Sequence, residues 1–268
     1  MYSGTTFRHH SGNVVGVHQR IDRIAKRHLR HYLPTHAFFP TIKDILHFEG
    51  KNGPDGIKSK SPSIDEPWHY IKPGATADDP LVVMITDHLY NLSVALKNQD
   101  EIRAAFEAAW LSHAIVDGLT PAHHFPLAEK IEELWGKPHT ERITTSDKIL
   151  IRGTSKRDML SKNWQYWGGK GVFSLHVAFE WGVASSITIN QFKDIGIHPI
   201  DLKRVKKEGF TPLFLEAVRA VDSFHMYEEF ARTGWSVRLG NISRQHLIPI
   251  ISKTVVLAWY AASEGMTQ

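Results

Sequence analysis

The segment that most constrains the fold is a helix interrupted by a proline, AWLSHAIVDGLTPAHHF, at residues 109–125. His113 and Asp117 are four residues apart, so one helical face carries both, with Cβ atoms about 5–6 Å apart. The glycine after Asp117 and then Pro121 predict the end of the helix, and His123 follows two residues later. The flanking residues are apolar, so we expect the pair at or near the core. A buried carboxylate is costly there unless it is paired or coordinated.

The donor types of this segment narrow its chemistry. Imidazole, carboxylate and imidazole at short range are typical of a divalent metal of the zinc class. The competing interpretation is that His113 and Asp117 form a side-chain pair on the helix surface, which would stabilise the helix by a few tenths of a kcal/mol. The spacing alone does not decide, because a chain with 17 His and 28 acidic residues also contains three similar pairs: His18/Asp22, His176/Glu180 and His225/Glu229.

Composition sets the broad class. A chain of 268 residues with 42% hydrophobic and 22% charged residues is long enough for one soluble domain with a buried core. The charge of +4 suits phosphate-bearing substrates or an anionic surface, but is too small to indicate nucleic acid by itself. Without cysteine, metal ligands must come from His, Asp, Glu and backbone atoms.

The chain as given carries no recognisable export or membrane signal. The N-terminal stretch lacks the apolar segment of a signal peptide, and no apolar run approaches the roughly 18 residues of a membrane helix. We therefore expect a cytoplasmic protein, or a secreted one if a leader has been removed.

Periodicity predicts an all-α fold. Apolar residues at helical spacing predict helices over Val14–Tyr32, Thr41–His47, Leu81–Lys97, Gln99–Val116, Leu127–Trp135, Leu175–Asn190, Thr211–Thr233 and Ser243–Glu264. No strand pairing is evident. We predict a flexible tail at 1–13 and a single domain at 14–268, with irregular regions at 49–80 and 124–175.

Two parts of these regions leave alternatives open. Asp55 and His69 lie in the first loop; Asp55 is either a ligand or the Asp of a Pro-Asp-Gly turn, and His69 either a ligand or a packed loop histidine. The basic, aromatic segment Arg157–Lys170 has three interpretations: stacking of nucleobases, insertion into a lipid interface, or a packed cap over the site.

The ordered set of candidate ligands resembles that of the zinc-dependent phospholipase C family, whose fold is similar to that of the single-strand-specific zinc nucleases. The early helix VHQRIDRIAKRHL carries His18, and the loop supplies Asp55 and, fourteen positions later, His69. The central motif His-x3-Asp-x3-Pro-x-His is formed by His113, Asp117, Pro121 and His123, and His-x3-Glu follows at His176 and Glu180.

The resemblance implies two or three zinc ions. Asp55, His69, His113 and Asp117 would hold one, and His123, His176 and Glu180 a second. His18 would contribute to a third, with Asp117 bridging between metals. Asp55 is the implied candidate for a general base if one of its oxygens stays free of metal.

The chain departs from the family pattern in three ways. Family members complete the third site with the α-amino group and carbonyl of an N-terminal Trp, whereas here no Trp precedes His18. That site is therefore empty, remodelled, or completed by His9 or His10. The interval between His123 and His176 is also longer than in compact relatives, and the leader of secreted relatives is missing.

The expected function is a zinc-dependent phosphoric ester hydrolase, phospholipase C-like, acting on a phosphodiester. The substrate is expected to be a phospholipid met at a membrane surface. Two alternatives stay open: a single-strand nuclease or 3′-nucleotidase on the same scaffold, and a non-catalytic binding protein stabilised by metal. Residues that bind the substrate cannot be named from the sequence.

Overall fold

The computed structural model describes residue 1 and residues 16–49, 52–56, 69–138, 141, 146–147 and 150–265. Residues 2–13 of the predicted tail, with His9 and His10, lie outside these ranges. Within them the helices are α1 (Val17–Leu29), α2 (Ile42–His47), α3 (Pro80–Lys97), α4 (Glu101–Gly118), α5 (Leu127–Trp135), α6 (Lys156–Trp167), α7 (Val172–Ile187), α8 (Pro199–Glu208), α9 (Thr211–Asp222), α10 (Met226–Thr233), α11 (Val237–Ile242) and α12 (Ile248–Ser263). The described part of the chain contains no strand, which confirms the all-α prediction.

The core forms around α12, against which α1, α3 and α4 pack. Trp259 of α12 is fully buried and donates a hydrogen bond from Nε1 to the carbonyl of Ala108 over 3.1 Å. A π-helical turn at Ser243–Leu247 joins α11 to α12, and the continuous helix Val237–Ser263 is long and apolar enough to cross a membrane by length and composition. Because 72% of its apolar window is buried inside the protein, it is the central core helix of this structure.

The antiparallel pair α3–α4 positions the central motif. Asp79 and Asp100 cap the two helices by accepting hydrogen bonds from the backbone N–H groups of Leu81 and Arg103. The helix α4 ends at Gly118, and Pro121 opens a 3-10 turn at Pro121–His123, as the sequence predicts. A Cβ at Gly118 would lie 2.7 Å from Cζ of Phe214, so the helix end requires glycine to pack this closely.

The predicted helices are correct in position except toward the C-terminus. The single helix expected over Thr211–Thr233 is wrong, since α9 and α10 are separated at His225, whose φ of 49° is incompatible with a continuing α-helix. The predicted start at Ser243 is also too late, because α11 already begins at Val237.

Two helices were not expected. One is α6, in the region predicted to be irregular, where Ser155 accepts a hydrogen bond from the backbone N–H of Asp158. The other is α8, which opens with Pro199 and whose Asp201 accepts a hydrogen bond from the backbone N–H of His198. Both helices contain few buried apolar residues, so their apolar periodicity is weak. The residues that begin each helix are the clearer sequence signal.

Candidate metal centre

The centre is organised around the carboxylate of Asp117, near the end of α4. Small residues on this helix (Ala104, Ala105, Ala108 and Ala109) are all fully buried, which lets neighbouring helices approach closely. One turn before Asp117, His113 projects from the same face, and both side chains are almost completely buried. Asp117 therefore sits at the junction of several segments rather than on the surface.

The two oxygens of Asp117 face different partners. Oδ1 lies 2.7 Å from the α-amino nitrogen of Met1 and 3.3 Å from Nε2 of His18, on α1. Oδ2 lies 3.2 Å from Nε2 of His113 and contacts Nδ1 of His69. A carboxylate whose oxygens point to separate sets of donors is suited to bridge two cations.

A second cluster joins the 3-10 turn to α7. Nε2 of His123 and Nε2 of His176 each lie 3.1 Å from Oε1 of Glu180. The two imidazole rings stack with their centroids 5.0 Å apart. His176 and Glu180 are one turn apart on α7, so the helix itself sets their separation.

The structure brings together all eight residues singled out from the sequence. They form three groups whose ligand atoms lie within 4.8 Å of one another: His18, His113 and Asp117; Asp55, His69 and His113; and His123, His176 and Glu180. These groups hold the ligand types that a metal ion needs. His113 belongs to the first two groups and therefore links them.

Glu49 is a buried carboxylate of the centre that sequence reasoning missed. It is fully buried, and its Oε1 accepts a hydrogen bond from Nδ1 of His113 over 2.8 Å. The same oxygen lies 3.6 Å from Nδ1 of His18, whose ring stacks on that of His113 at 4.1 Å. Nothing in the local sequence distinguishes Glu49 from a loop glutamate, so only the fold reveals this role.

The hydrogen bonds of the histidines show that a cation fits. The backbone carbonyl of His69 can only accept, so Nδ1 of His123 donates to it over 2.8 Å and the lone pair of a neutral ring lies on Nε2. Nδ1 of His113 donates to Glu49 in the same way. The lone pair of the His123 ring then faces an oxygen of Glu180 that is also an acceptor, an arrangement that a metal ion between them would stabilise.

Several separations between candidate ligand atoms are compatible with a bound metal ion. A tetrahedral ion with bonds of about 2.0–2.1 Å holds its ligand atoms about 3.3 Å apart. Nitrogen–oxygen distances near this value are 3.1 Å for His123–Glu180, 3.2 Å for His113–Asp117 and 3.3 Å for His18–Asp117. Each of these pairs is thus spaced as two ligands of one ion.

Met1 is the second group that the residue pattern did not identify. Its amino nitrogen lies 2.7 Å from Oδ1 of Asp117 and 3.5 Å from Oε1 of Glu180, and its carbonyl oxygen lies 2.8 Å from Nε2 of His18. The resemblance indicated an amino group and a carbonyl at this place, but from a Trp. These two groups belong to the backbone, so they do not require a Trp side chain.

Burial and neighbouring charges shift the pKa values of several candidate ligands. Burial, the largest effect, lowers the pKa of His123 to about 4, so its ring is neutral near pH 7. Burial raises the pKa of Asp117 and Glu180, but the Met1 amino group and the nearby histidines outweigh it and hold both well below the ordinary range. For His113, burial lowers the pKa, while Glu49, Asp117 and Asp55 raise it well above the usual value.

Neighbouring polar residues have other partners. Asp22 accepts a hydrogen bond from the hydroxyl of Ser112, and burial together with Glu49 raises its pKa well above normal. His124 donates from Nε2 to the carbonyl of Gly118 over 2.9 Å, so this nitrogen is engaged by the backbone. Glu229, paired with His225 in the sequence, instead contacts Arg238 away from the centre.

Tyr70 lines the centre beside the second cluster. Its ring lies 5.3 Å from that of His123 and 6.5 Å from that of His176. Burial raises the pKa of Tyr70 well above its ordinary value, with smaller contributions from Glu180 and Asp117. The phenol therefore stays protonated, next to the place where a ligand of the metals would bind.

In comparisons with known proteins, no family model, curated protein or solved structure matches the chain.

Proposed function

We propose that the protein is a zinc-dependent phosphodiester hydrolase, phospholipase C-like, with two or three zinc ions in this centre. The observation that carries the proposal is that the two Asp117 oxygens face different partners. Oδ1 lies 3.3 Å from His18, whereas Oδ2 lies 3.2 Å from His113 and contacts His69, which shares a second ligand group with His113. Such a carboxylate holds neighbouring cations at the short separation used in phosphoester hydrolysis. A single structural zinc needs only four ligands and no such bridge.

Each set of side chains would hold a particular ion. His123, His176 and Glu180 would hold one, while Asp55, His69, His113 and Asp117 would hold another. His18, with the amino and carbonyl groups of Met1, would complete the third beside Asp117. When bound, the metals supply positive charge that stabilises the phosphate oxygens and lowers the pKa of water.

The charge of the centre favours an anionic substrate. If three divalent ions bind, their charge of +6 and the formal charge of −4 from Asp55, Asp117, Glu180 and the buried Glu49 would leave the loaded centre at +2. In a buried site this excess attracts a phosphodiester more strongly than it would in bulk water. The basic composition of the chain, with a net charge of +4, acts in the same direction.

Asp55 is the residue best placed to move a proton. Its side chain is 25% exposed, whereas the side chain of Asp117 is 3% exposed and that of Glu180 12% exposed. Water therefore reaches Asp55 more readily than the other two carboxylates. Asp55 would accept the proton of the water that attacks phosphorus. The bond between phosphorus and the oxygen of the diacylglycerol portion would break, and Asp55 would return the proton to that oxygen.

The test compares substrates and metal content in the same preparation. We expect two or three zinc ions per chain by elemental analysis, and release of a phosphorylated head group from phosphatidylcholine. Hydrolysis of single-stranded DNA or 3′-nucleotides in place of the lipid would identify the nuclease alternative. A zinc-loaded protein that hydrolyses none of these substrates would overturn the proposal.

A further inference from the structure

We propose that α6 is a membrane-docking helix, which lays an exposed apolar stripe on a bilayer with anionic head groups beside the metal centre. The stripe consists of Leu160, Trp164 and Trp167, which are 69%, 75% and 44% exposed. Their spacing of four and then three residues places them on one helical face. The inference rests on the proposed function for the identity of the substrate, but the docking itself does not require catalysis.

Leu160 and Trp164 are largely exposed, while Trp167 also packs against Phe173. The helix is held by its other side, where Tyr166 is buried in a small apolar cluster and Asn163 bonds both backbone groups of Ile151, at 3.0 and 2.7 Å. Two tryptophans and a leucine side by side on the surface form an apolar patch that is uncommon on soluble proteins. Tryptophan is also the side chain that settles at a lipid–water interface, because it is apolar with one polar N–H.

Basic side chains surround the stripe. Lys156 and Arg157 are exposed in the first turn of α6, and successive 100° rotations place both within about 60° of Leu160 on the helical wheel. Lys170 is exposed just beyond the end of the helix. An apolar face flanked by Lys and Arg is the pattern of helices that lie in the plane of an anionic membrane.

Packed aromatic residues lie between the stripe and the centre. The ring of Trp167 lies 4.9 Å from that of Phe173. Phe173 is in the first turn of α7, three residues before His176. Tyr166 stacks on the same Phe173 at 5.3 Å. Tyr70, which lines the centre, packs against the same apolar cluster as Tyr166. The stripe is therefore connected through packed aromatic side chains to Tyr70, beside the centre.

The other interpretations of this segment fit less well. A packed cap describes Tyr166, which is 3% exposed, but not Trp164 at 75%. Stacking of nucleobases uses aromatic rings along a backbone-tracking basic groove, whereas Leu160 adds an aliphatic side chain to the same face, which favours lipid. We therefore infer that the stripe binds a lipid surface; binding of nucleic acid in its place would contradict this inference.

The experiment measures sedimentation of the zinc-loaded protein with vesicles of phosphatidylcholine mixed with phosphatidylglycerol. The variant carries Leu160→Ser and Trp164→Ser; the matched control carries Val83→Ser and Ile102→Ser, at exposed apolar positions on α3 and α4. We expect the α6 variant to bind at least about tenfold more weakly, and the control to bind as the unaltered protein does. Binding should also weaken as salt rises.

Three outcomes would overturn the inference. The first is equal binding to vesicles by the unaltered protein and both variants, and the second is no binding by any of them. The third is binding to single-stranded oligonucleotides but not to vesicles, with loss of that binding in the α6 variant. Circular dichroism checks that the variants fold, which we expect because the substituted side chains face solvent.

Catalysis separates this inference from the proposed function. On a water-soluble phosphodiester, p-nitrophenyl phosphorylcholine, we expect the α6 variant to be as active as the unaltered protein, while its hydrolysis of vesicle lipid falls. If the unaltered protein hydrolyses neither substrate, the proposed function fails. Loss of vesicle binding confined to the α6 variant would still support docking in that case.

Discussion

Nδ1 of His113 donates a hydrogen bond to Oε1 of Glu49 over 2.8 Å, which turns Nε2 of the same ring toward Asp117. The carboxylate thus fixes both the orientation and the tautomer of a residue shared by two groups of ligands. We expect Glu49→Gln to lower zinc affinity by about 10–100-fold, because an amide orients the ring less strongly than a carboxylate does. Competition with a chromogenic chelator measures this change.

Glu107 provides the control for Glu49. It is fully buried on α4 and accepts from Nδ1 of His88 over 2.6 Å, outside the metal centre. Glu107→Gln removes the same charge in a similar setting, and we expect it to lower thermal stability without changing zinc affinity. Equal loss of zinc affinity in both variants would show that Glu49 acts only through general stability.

Asp117→Asn tests the bridge. The substitution keeps the shape of the side chain but removes the charge between two groups, so we expect the loss of at least one zinc per chain and of phosphodiester hydrolysis. Elemental analysis of the purified variant gives the stoichiometry. His225→Ala, outside the centre, should retain the full metal content; full activity of a zinc-free Asp117→Asn, His113→Ala double variant would contradict the proposed function.

An extension before Met1 tests the third ion. Joining Gly-Ser to the amino group of Met1 converts the amine, now 2.7 Å from Asp117, into an amide, which is a poor ligand. The side chain of Met1 and all other residues stay the same. We expect one zinc fewer per chain by elemental analysis, and the same Gly-Ser attached at the C-terminus to have no effect. An unchanged stoichiometry would remove Met1 from the ligand set.

The metal-free protein should lose stability in acid because of His123. The folded protein binds a proton at this ring only near pH 4, whereas the unfolded chain binds one near 6.5. As the pH falls from about 6.5 to 4, only the unfolded state gains this proton, so the free energy of unfolding falls by about 3 kcal/mol in total. The lowered pKa values of Asp117 and Glu180 add to this loss from about pH 5 downward, where their unfolded carboxylates begin to protonate.

Urea unfolding of the chelated protein at several pH values measures this slope. His123→Asn removes the titrating ring, so we expect a flatter dependence between pH 6.5 and 4 in that variant. A slope that persists unchanged in His123→Asn would assign the effect to other groups.

The sequence predicts the site residues whose spacing a helix sets, and it does not predict those that only tertiary packing brings to the centre. His113 and Asp117 are recognisable because a helix sets their spacing, and His176 and Glu180 for the same reason. The ordered set then extends to His18, Asp55 and His69. Glu49 and Met1 are not predictable in this way, because they reach the centre only through tertiary packing and no local spacing relates them to it. The helix α6 was missed although Ser155 and Asp158 mark its beginning.

The ligand groups come from segments far apart in the chain, and this separation has a mechanical consequence. An ion held by His123 and His176 would join residues 53 positions apart in sequence, and one held by His18 and His113 would join residues 95 apart. Each ion would act as a reversible cross-link that closes a long loop, and part of its binding free energy would appear as folding free energy. Zinc supply would then set how much of the chain is folded as well as how much is active.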